Sequence, residues 1–169
     1  MNQALALKPI RTLSNLLRSF EEPHRHPLDC TPWVAQSALQ KAIRRGRTQI
    51  ALAAAATLLQ QAPERLWRRL ACIAFEDVGI GNLELVTLVT AAMAGRKARA
   101  SLGGEWKVAS LLITMMAEAT KCRAADDLLL VAENHLSFQA ERLQLSELIQ
   151  VLGATGDKPR RTCGIALSF

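Results

Sequence analysis

An acidic pair stands beside two glycines in the middle of the chain. Glu76 and Asp77 close a helical pattern, and Gly79 and Gly81 follow in the stretch LACIAFEDVGIGNLEL. Two carboxylates that face one cavity can do general acid–base chemistry, and a glycine-rich turn before a helix can hold a phosphate. Neighbouring helical residues diverge by about 100°, however, so these two carboxylates do not share a cavity. The GIG spacing also lacks the strand and the third glycine of a dinucleotide-binding fingerprint.

The better interpretation of the acidic pair and the two glycines is a structural corner between two helices, without a catalytic role. Helical angles place Glu76 with the basic residues of its helix, so we expect it to pair with Arg68 or Arg69. Asp77 points toward the apolar side. We expect it to accept hydrogen bonds from the backbone of the GIGN turn or to cap a neighbouring helix.

Basic residues recur one helical turn apart on two successive helical patterns. The first pattern and its end carry Lys41, Arg44, Arg45 and Arg47, and the second carries Arg65, Arg68 and Arg69. The chain has a formal net charge of +6 and a pI of about 9.6. Lysine and arginine neutralise phosphates without reading sequence, so these seven residues are candidates for binding a DNA backbone. The alternatives are two solvated faces or ion pairs between subunits.

The segment HRHPLDC offers side chains that can bind a metal, namely His24, His26, Asp29 and Cys30. Their spacing matches no standard zinc finger, and all four lie on one loop, so we predict no metal site. The four cysteines lack a C-x-x-C spacing and are expected to be reduced packing residues. No Walker A pattern is present, and we expect no cofactor. An enzyme that uses the histidine loop or Glu76 is the weakest alternative.

The elements that must position these residues are predicted to be helices throughout. Alanine and leucine are abundant, alternating β-branched segments are absent, and helix breakers recur at regular intervals. The pattern predicts an all-α fold, a multi-helix orthogonal bundle of about seven or eight helices arranged as hairpins. We expect residues 1–30 to form an N-terminal helix and a proline-rich loop, 31–152 the helical core domain, and 153–169 a basic tail.

Helix boundaries follow from capping residues. Thr31 followed by Pro32 predicts a helix start, and Gly46 predicts its end. A second core helix is expected over 48–61, and Pro63 opens a third that ends before Gly79.

The second half of the chain continues the helical pattern. Asn82 is expected to cap one helix over 83–100. The apolar positions of 105–121 cover most of the helix circumference, which predicts a central buried helix. Two shorter helices are expected over 124–135 and 138–152.

The apolar content bears on assembly and location. Half of the residues are hydrophobic and the mean hydropathy is +0.10, so we expect a helix–helix interface between subunits of a homo-oligomer. The longest apolar runs fall well below the ~18 residues of a membrane span, and the N-terminal apolar run is too short for a signal peptide. We therefore expect a cytoplasmic protein.

Two segments carry a family pattern in the right order and spacing. In SALQKAIRRG the matching residues are Ser37, Ala38, Leu39, Lys41, Arg45 and Gly46. In ERLWRRLACIAFEDVG they are Arg68, Arg69, Leu70, Ala74, Glu76, Asp77, Val78 and Gly79. Over about Thr31 to Ala125 the chain resembles the C-terminal helical region of the replication-associated recombination protein A family. These are AAA+ ATPases akin to clamp loaders and related to the Werner-helicase-interacting protein.

The departures from that pattern are specific. Gln40 stands where the family has histidine, Ala42 and Phe75 where it has serine, and the ATPase module is absent. The resemblance implies a domain that forms homo-oligomers, tetrameric in that family, with DNA and replication proteins at stalled forks as partners. We predict a non-enzymatic helical oligomerisation and DNA-associated domain. The alternative is an adaptor that docks an acidic partner or a separately encoded ATPase.

Overall fold

The computed structural model describes residues 3–139 and 143, and within them the chain forms eight α-helices and no strand. Their bounds are α1 (Gln3–Ser19), α2 (Pro32–Arg44), α3 (Thr48–Gln61), α4 (Pro63–Ile73), α5 (Leu83–Ala92), α6 (Arg96–Ser101), α7 (Glu105–Glu118) and α8 (Ala124–Asn134). A π-helical segment, Ala74–Val78, and a 3-10 turn, Gly79–Gly81, lie between α4 and α5. The predicted all-α multi-helix fold is confirmed.

The chain divides into two compact units at Asp126–Asp127. The first contains α1 to α7, and the candidate functional residues lie within it. The described part of the second holds most of α8 and a 3-10 turn, Leu136–Phe138, whose preceding His135 side chain accepts a hydrogen bond from Ser137 N. Most of the predicted helix over 138–152 and all of the tail over 153–169 lie outside the described residues. The predicted domain boundaries stay predictions.

The helix starts follow their capping residues. The Thr31 hydroxyl accepts a hydrogen bond from Val34 N at 3.4 Å, and Pro32 occupies the first helical position, where its missing N–H costs nothing. The Asn82 side chain accepts from Leu85 N at 3.0 Å and so caps α5. The bounds of α3 agree with the predicted 48–61.

The core of the first unit is built around α3 and α7. Helix α3 packs against both α2 and α7. Its alanines Ala51, Ala54 and Ala55 are fully buried, and such small side chains let neighbouring helices approach closely. Helix α7 buries Trp106 and Met116 together with most of the residues between them. The predicted central buried helix is confirmed.

Two local predictions are wrong. The helix expected over 83–100 is two helices, α5 and α6, because Gly95 interrupts it with a φ of +124° that side-chain-bearing residues rarely adopt. The break lets Arg99 turn inward, where it is buried against Glu105 and Trp67. The helix that opens at Pro63 was expected to run as one α-helix to the glycines, but it widens into π geometry at Ala74.

Candidate nucleic-acid interface

The seven predicted basic residues fall into two groups. Five of them are exposed and form no ion pair with any residue in the described part of the chain: Lys41, Arg45, Arg47, Arg65 and Arg68. The other two, Arg44 and Arg69, reach across from their helices to the polar face between α2 and the π-helical segment. The exposed basic residues therefore lie on or directly after α2 and α4, the two helices that also carry Arg44 and Arg69.

Arg69 is half-buried and is held by two amides of α2. Its Nη1 donates to Gln40 Oε1 at 3.1 Å. The Gln36 amide is oriented so that its oxygen and its nitrogen both have suitable partners. In this orientation Gln36 Oε1 accepts from Arg69 Nε at 3.0 Å and from Arg69 Nη2. Both partners are neutral, so the guanidinium is oriented while its charge is not cancelled by direct contact with a carboxylate.

The side-chain amide of Gln40 binds both carboxylates, although the helical angle predicts that Glu76 and Asp77 point in different directions. Its Nε2 donates to Glu76 Oε2 at 3.2 Å and to Asp77 Oδ2 at 3.3 Å. The prediction that Glu76 pairs with Arg68 or Arg69 is wrong, because this amide stands between Arg69 and the acid. The helical angle of about 100° does hold in one respect, since Asp77 is fully buried and Glu76 is only half-buried.

The side chain of Asp77 binds distant arginines. Its Oδ1 lies 2.7 Å from Arg44 Nε and 3.9 Å from Arg123 Nε. The predicted partners, the GIGN backbone or the end of a neighbouring helix, are therefore wrong for this side chain. The side chain instead faces α2, whose Gln40 and Arg44 donate hydrogen bonds to it. Its backbone carbonyl accepts from Cys122 N at 2.9 Å, which fastens the segment after α7 to the same place.

Lys121 adds a further cation beside this cluster. Its Nζ donates to the carbonyls of Ala117 and Ala119, at 3.0 and 2.7 Å, and so satisfies backbone acceptors at the end of α7. Burial lowers the pKa of the Lys121 ammonium below its ordinary value of 10.5, and the negative charge of Asp77 opposes part of that effect.

The two glycines of the turn lie against the segment that follows α7. A Cβ on Gly81 would stand 2.8 Å from the carbonyl oxygen of Thr120, and one on Gly79 would stand 2.9 Å from that of Cys122. Gly79 also has a φ of +48°. Backbone approaches this close exclude side chains, so the glycines follow from packing and not from phosphate binding.

A groove of about 190 Å³ opens beside Arg69. Its lining residues are Trp33, Gln36, Ser37, Gln40 and Arg69. Trp33 is 73% exposed at the start of α2. An anchored cation, two amides, a hydroxyl and an exposed indole thus share one small opening. Such a lining suits a ligand that combines negative charge with a flat ring.

The sequence interpretation missed several members of this site: Trp33, Gln36, Gln40, Lys121 and Arg123. A signal for two of them was present, since Gln36, Gln40 and Arg44 recur every four residues and share one helix face. Lys121 and Arg123 gave no such signal, because only the tertiary fold brings the segment after α7 to Asp77.

The histidine loop has a different environment. The rings of His24 and His26 stand edge to face with centroids 6.4 Å apart. Among the described residues, no three side chains of the histidine, cysteine, aspartate and glutamate types are placed to hold one metal ion. The described cysteines Cys30, Cys72 and Cys122 are half-buried and not in disulfides.

Comparison with protein-family models gave no match, and comparison with curated proteins gave none either. In the part of the chain that the structure describes, no helix is both long and apolar enough to cross a membrane.

Proposed function

We propose that this chain is a non-enzymatic helical domain that binds DNA phosphates without sequence preference and forms homo-oligomers. The observation that carries the DNA part is Arg69, a half-buried guanidinium held by the neutral amides of Gln36 and Gln40 at the mouth of a groove. Because its hydrogen-bond partners are neutral amides, no carboxylate in direct contact cancels the charge of Arg69, and two of its N–H groups remain available to an anion.

The surrounding charge supports the same proposal. The inner cluster holds more cations than carboxylates. Its cations are Arg44, Arg69, Lys121 and Arg123, and its carboxylates are Glu76, Asp77 and Asp126, the last of which pairs with Arg123. The five exposed basic residues of α2, the following turn and α4 add to this excess. A surface of one sign attracts a polyanion, and each neutralised phosphate releases counterions.

Self-association rests on a different surface. Phe75, Ile80 and Leu83 are 54%, 68% and 62% exposed within nine positions around the turn before α5. Large apolar side chains left exposed around one turn are candidates for a subunit interface. With the resemblance to the recombination protein A family, they support a homo-oligomer, tetrameric as in that family. The same resemblance points to replication proteins as further partners. The short apolar runs of the sequence support a cytoplasmic location.

The test of DNA binding is a salt titration with paired charge variants. The full chain should shift a duplex oligonucleotide at ~50 mM salt, and log affinity should fall linearly with log salt concentration. Arg65→Gln and Arg68→Gln should each reduce the magnitude of that slope by about 1, uniformly across sequences. Arg96→Gln and Lys97→Gln, at exposed basic positions on α6, are the matched controls and should leave the slope unchanged.

Two results would overturn the proposal. The DNA part fails if the chain does not bind at low salt, or if the α6 variants weaken binding as much as the α4 variants do. The oligomer part fails if light scattering coupled to size exclusion gives a monomer. Phe75→Ser should shift an oligomer toward smaller species, whereas Glu84→Gln, at an exposed polar position next to Leu83, should leave its size unchanged.

A further inference from the structure

The exposed indole of Trp33 is placed differently from the other tryptophans. Trp67 and Trp106 are 2% and 1% exposed and belong to the core, whereas Trp33 is 73% exposed. It lines the groove that also contains Arg69. A large aromatic side chain left in water beside an anchored cation calls for a ligand with a flat apolar face.

The backbone under Trp33 is well fixed. It follows Pro32 at the first helical position, and the Thr31 side chain caps the same turn through Val34 N. A ring on a rigid helical turn loses little further backbone freedom when it stacks, so more of the contact energy goes into binding.

Arg69 is the cationic residue of the same groove and can contact an anion. Its Nε, Nη1 and Nη2 each donate one hydrogen bond to the glutamines, which leaves two of its five N–H groups for a ligand. An aromatic face and a guanidinium in one opening match a nucleobase and its phosphate. The groove, about 190 Å³, is smaller than the 300–1,000 Å³ of ordinary small-molecule pockets, so it suits one ring of a longer chain.

We propose that the groove stacks an unpaired base of single-stranded DNA on Trp33 while Arg69 holds an adjoining phosphate. In a duplex the base faces are covered by their neighbours, so this contact is made by unpaired nucleotides alone. The inference rests on the proposed function and adds to it a preference for single strands over duplex. The exposed basic residues bind both forms through phosphates, whereas Trp33 distinguishes between them.

The test uses tryptophan fluorescence of the full chain, because the one exposed tryptophan reports on the groove. Titration with an oligothymidylate at low salt should quench the solvent-exposed emission, and a duplex of equal length should quench it much less. Trp33→Leu should abolish the quenching. It should also weaken single-strand binding about 5- to 150-fold, the loss that corresponds to ~1–3 kcal/mol of stacking per base. Its affinity for duplex should not change.

Val34→Ala is the matched control, because Val34 is an exposed apolar neighbour on the same turn, and it should keep the wild-type preference. Trp33→Phe should restore part of the single-strand affinity, because a ring is retained. Thermal unfolding midpoints of all three variants should match that of the wild type, since both positions are exposed.

The outcomes separate the two proposals. If neither single strands nor duplex bind, the proposed function itself is wrong. If both bind equally and Trp33→Leu changes neither, DNA binding stands and the stacking inference is overturned. If an acidic peptide such as oligoglutamate quenches Trp33 and DNA does not, the groove recognises a protein partner and the inference is wrong.

Discussion

Arg44 and Asp77 form an ion pair in which the two partners are very unequally buried. Arg44 Nε lies 2.7 Å from Asp77 Oδ1, the arginine side chain is 39% exposed, and the carboxylate is fully buried. A buried carboxylate needs compensation from hydrogen bonds and nearby positive charge. The pair therefore belongs to the stability of the turn between α4 and α5, and Arg44 is the least suitable of the predicted phosphate ligands.

The Arg44–Asp77 ion pair predicts that the stability effects of substituting its two partners are not additive. Arg44→Ala should lower the free energy of unfolding by about 3 kcal/mol, because it leaves a buried charge with weaker compensation from Arg123 and Gln40. Combining it with Asp77→Asn should cost less than the sum of the two single variants, since the buried charge is then gone. Urea unfolding of the four proteins gives the coupling energy. Strict additivity would show that the pair is energetically unimportant.

The close approach of Gly81 to the Thr120 backbone predicts that a side chain at position 81 destabilises the fold, although the φ of Gly81 itself would allow one. Gly81→Ala should destabilise the fold by about 1–3 kcal/mol, because the new methyl group meets the Thr120 carbonyl at 2.8 Å and a backbone atom cannot move aside cheaply. Gln60→Ala, at an exposed position on α3, should change stability by less than about 0.5 kcal/mol. Denaturation midpoints decide the matter, and equal effects at the two positions would contradict the close approach.

The sequence predicted the helices well where local signals decide them. Thr31–Pro32 and Asn82 cap helices as predicted, since capping involves residues within one turn. Gly95 was present in the sequence, but a glycine inside a helical pattern often leaves the helix intact, so the break before α6 was missed. The π-helical segment also has no local signature in the residues Ala74–Val78.

The candidate site was less predictable, because its contacts join distant parts of the chain. Asp77 meets Arg44 from 33 residues before it and Arg123 from beyond α7. Helical angles correctly predicted that Asp77 is the more buried of the two carboxylates, but they did not predict that both converge on Nε2 of Gln40. Helix periodicity predicts the helix face on which a residue lies, but only the packing of the helices determines which residue that face contacts.

The contacts of the buried Arg99 predict that replacing it with lysine lowers the stability of the fold. Its Nε and Nη2 donate to Glu105 Oε1 at 3.2 and 2.9 Å, its Nη1 donates to Ala92 O, and its guanidinium lies 4.0 Å from the centre of the Trp67 ring. Arg99→Lys should cost about 3 kcal/mol, because an ammonium cannot make the fork and the stacking contact together. Arg96→Lys, exposed on the same helix, should be nearly neutral in urea unfolding. Equal stability of both variants would contradict the network.

The lowered pKa of Lys121 predicts how the free energy of unfolding changes at alkaline pH. Burial lowers the pKa of its ammonium in the folded chain, so between that pKa and 10.5 the unfolded chain binds the proton more strongly. Stability must therefore rise with pH in this window, because the folded state no longer has to keep a half-buried charge. The negative charge of Asp77, which favours the ammonium, makes the gain smaller.

The measurement is a comparison with Lys121→Gln, whose neutral amide retains a donor for the carbonyls that the lysine binds. The free energy of unfolding of the wild type minus that of the variant should increase from neutral pH toward 10.5. Other groups that titrate over the range are common to both proteins and cancel in the difference. Lys97→Gln, at an exposed position on α6, tests whether any lysine gives this result. A difference that stays flat or falls as the pH rises would show that the Lys121 charge is not disfavoured in the fold.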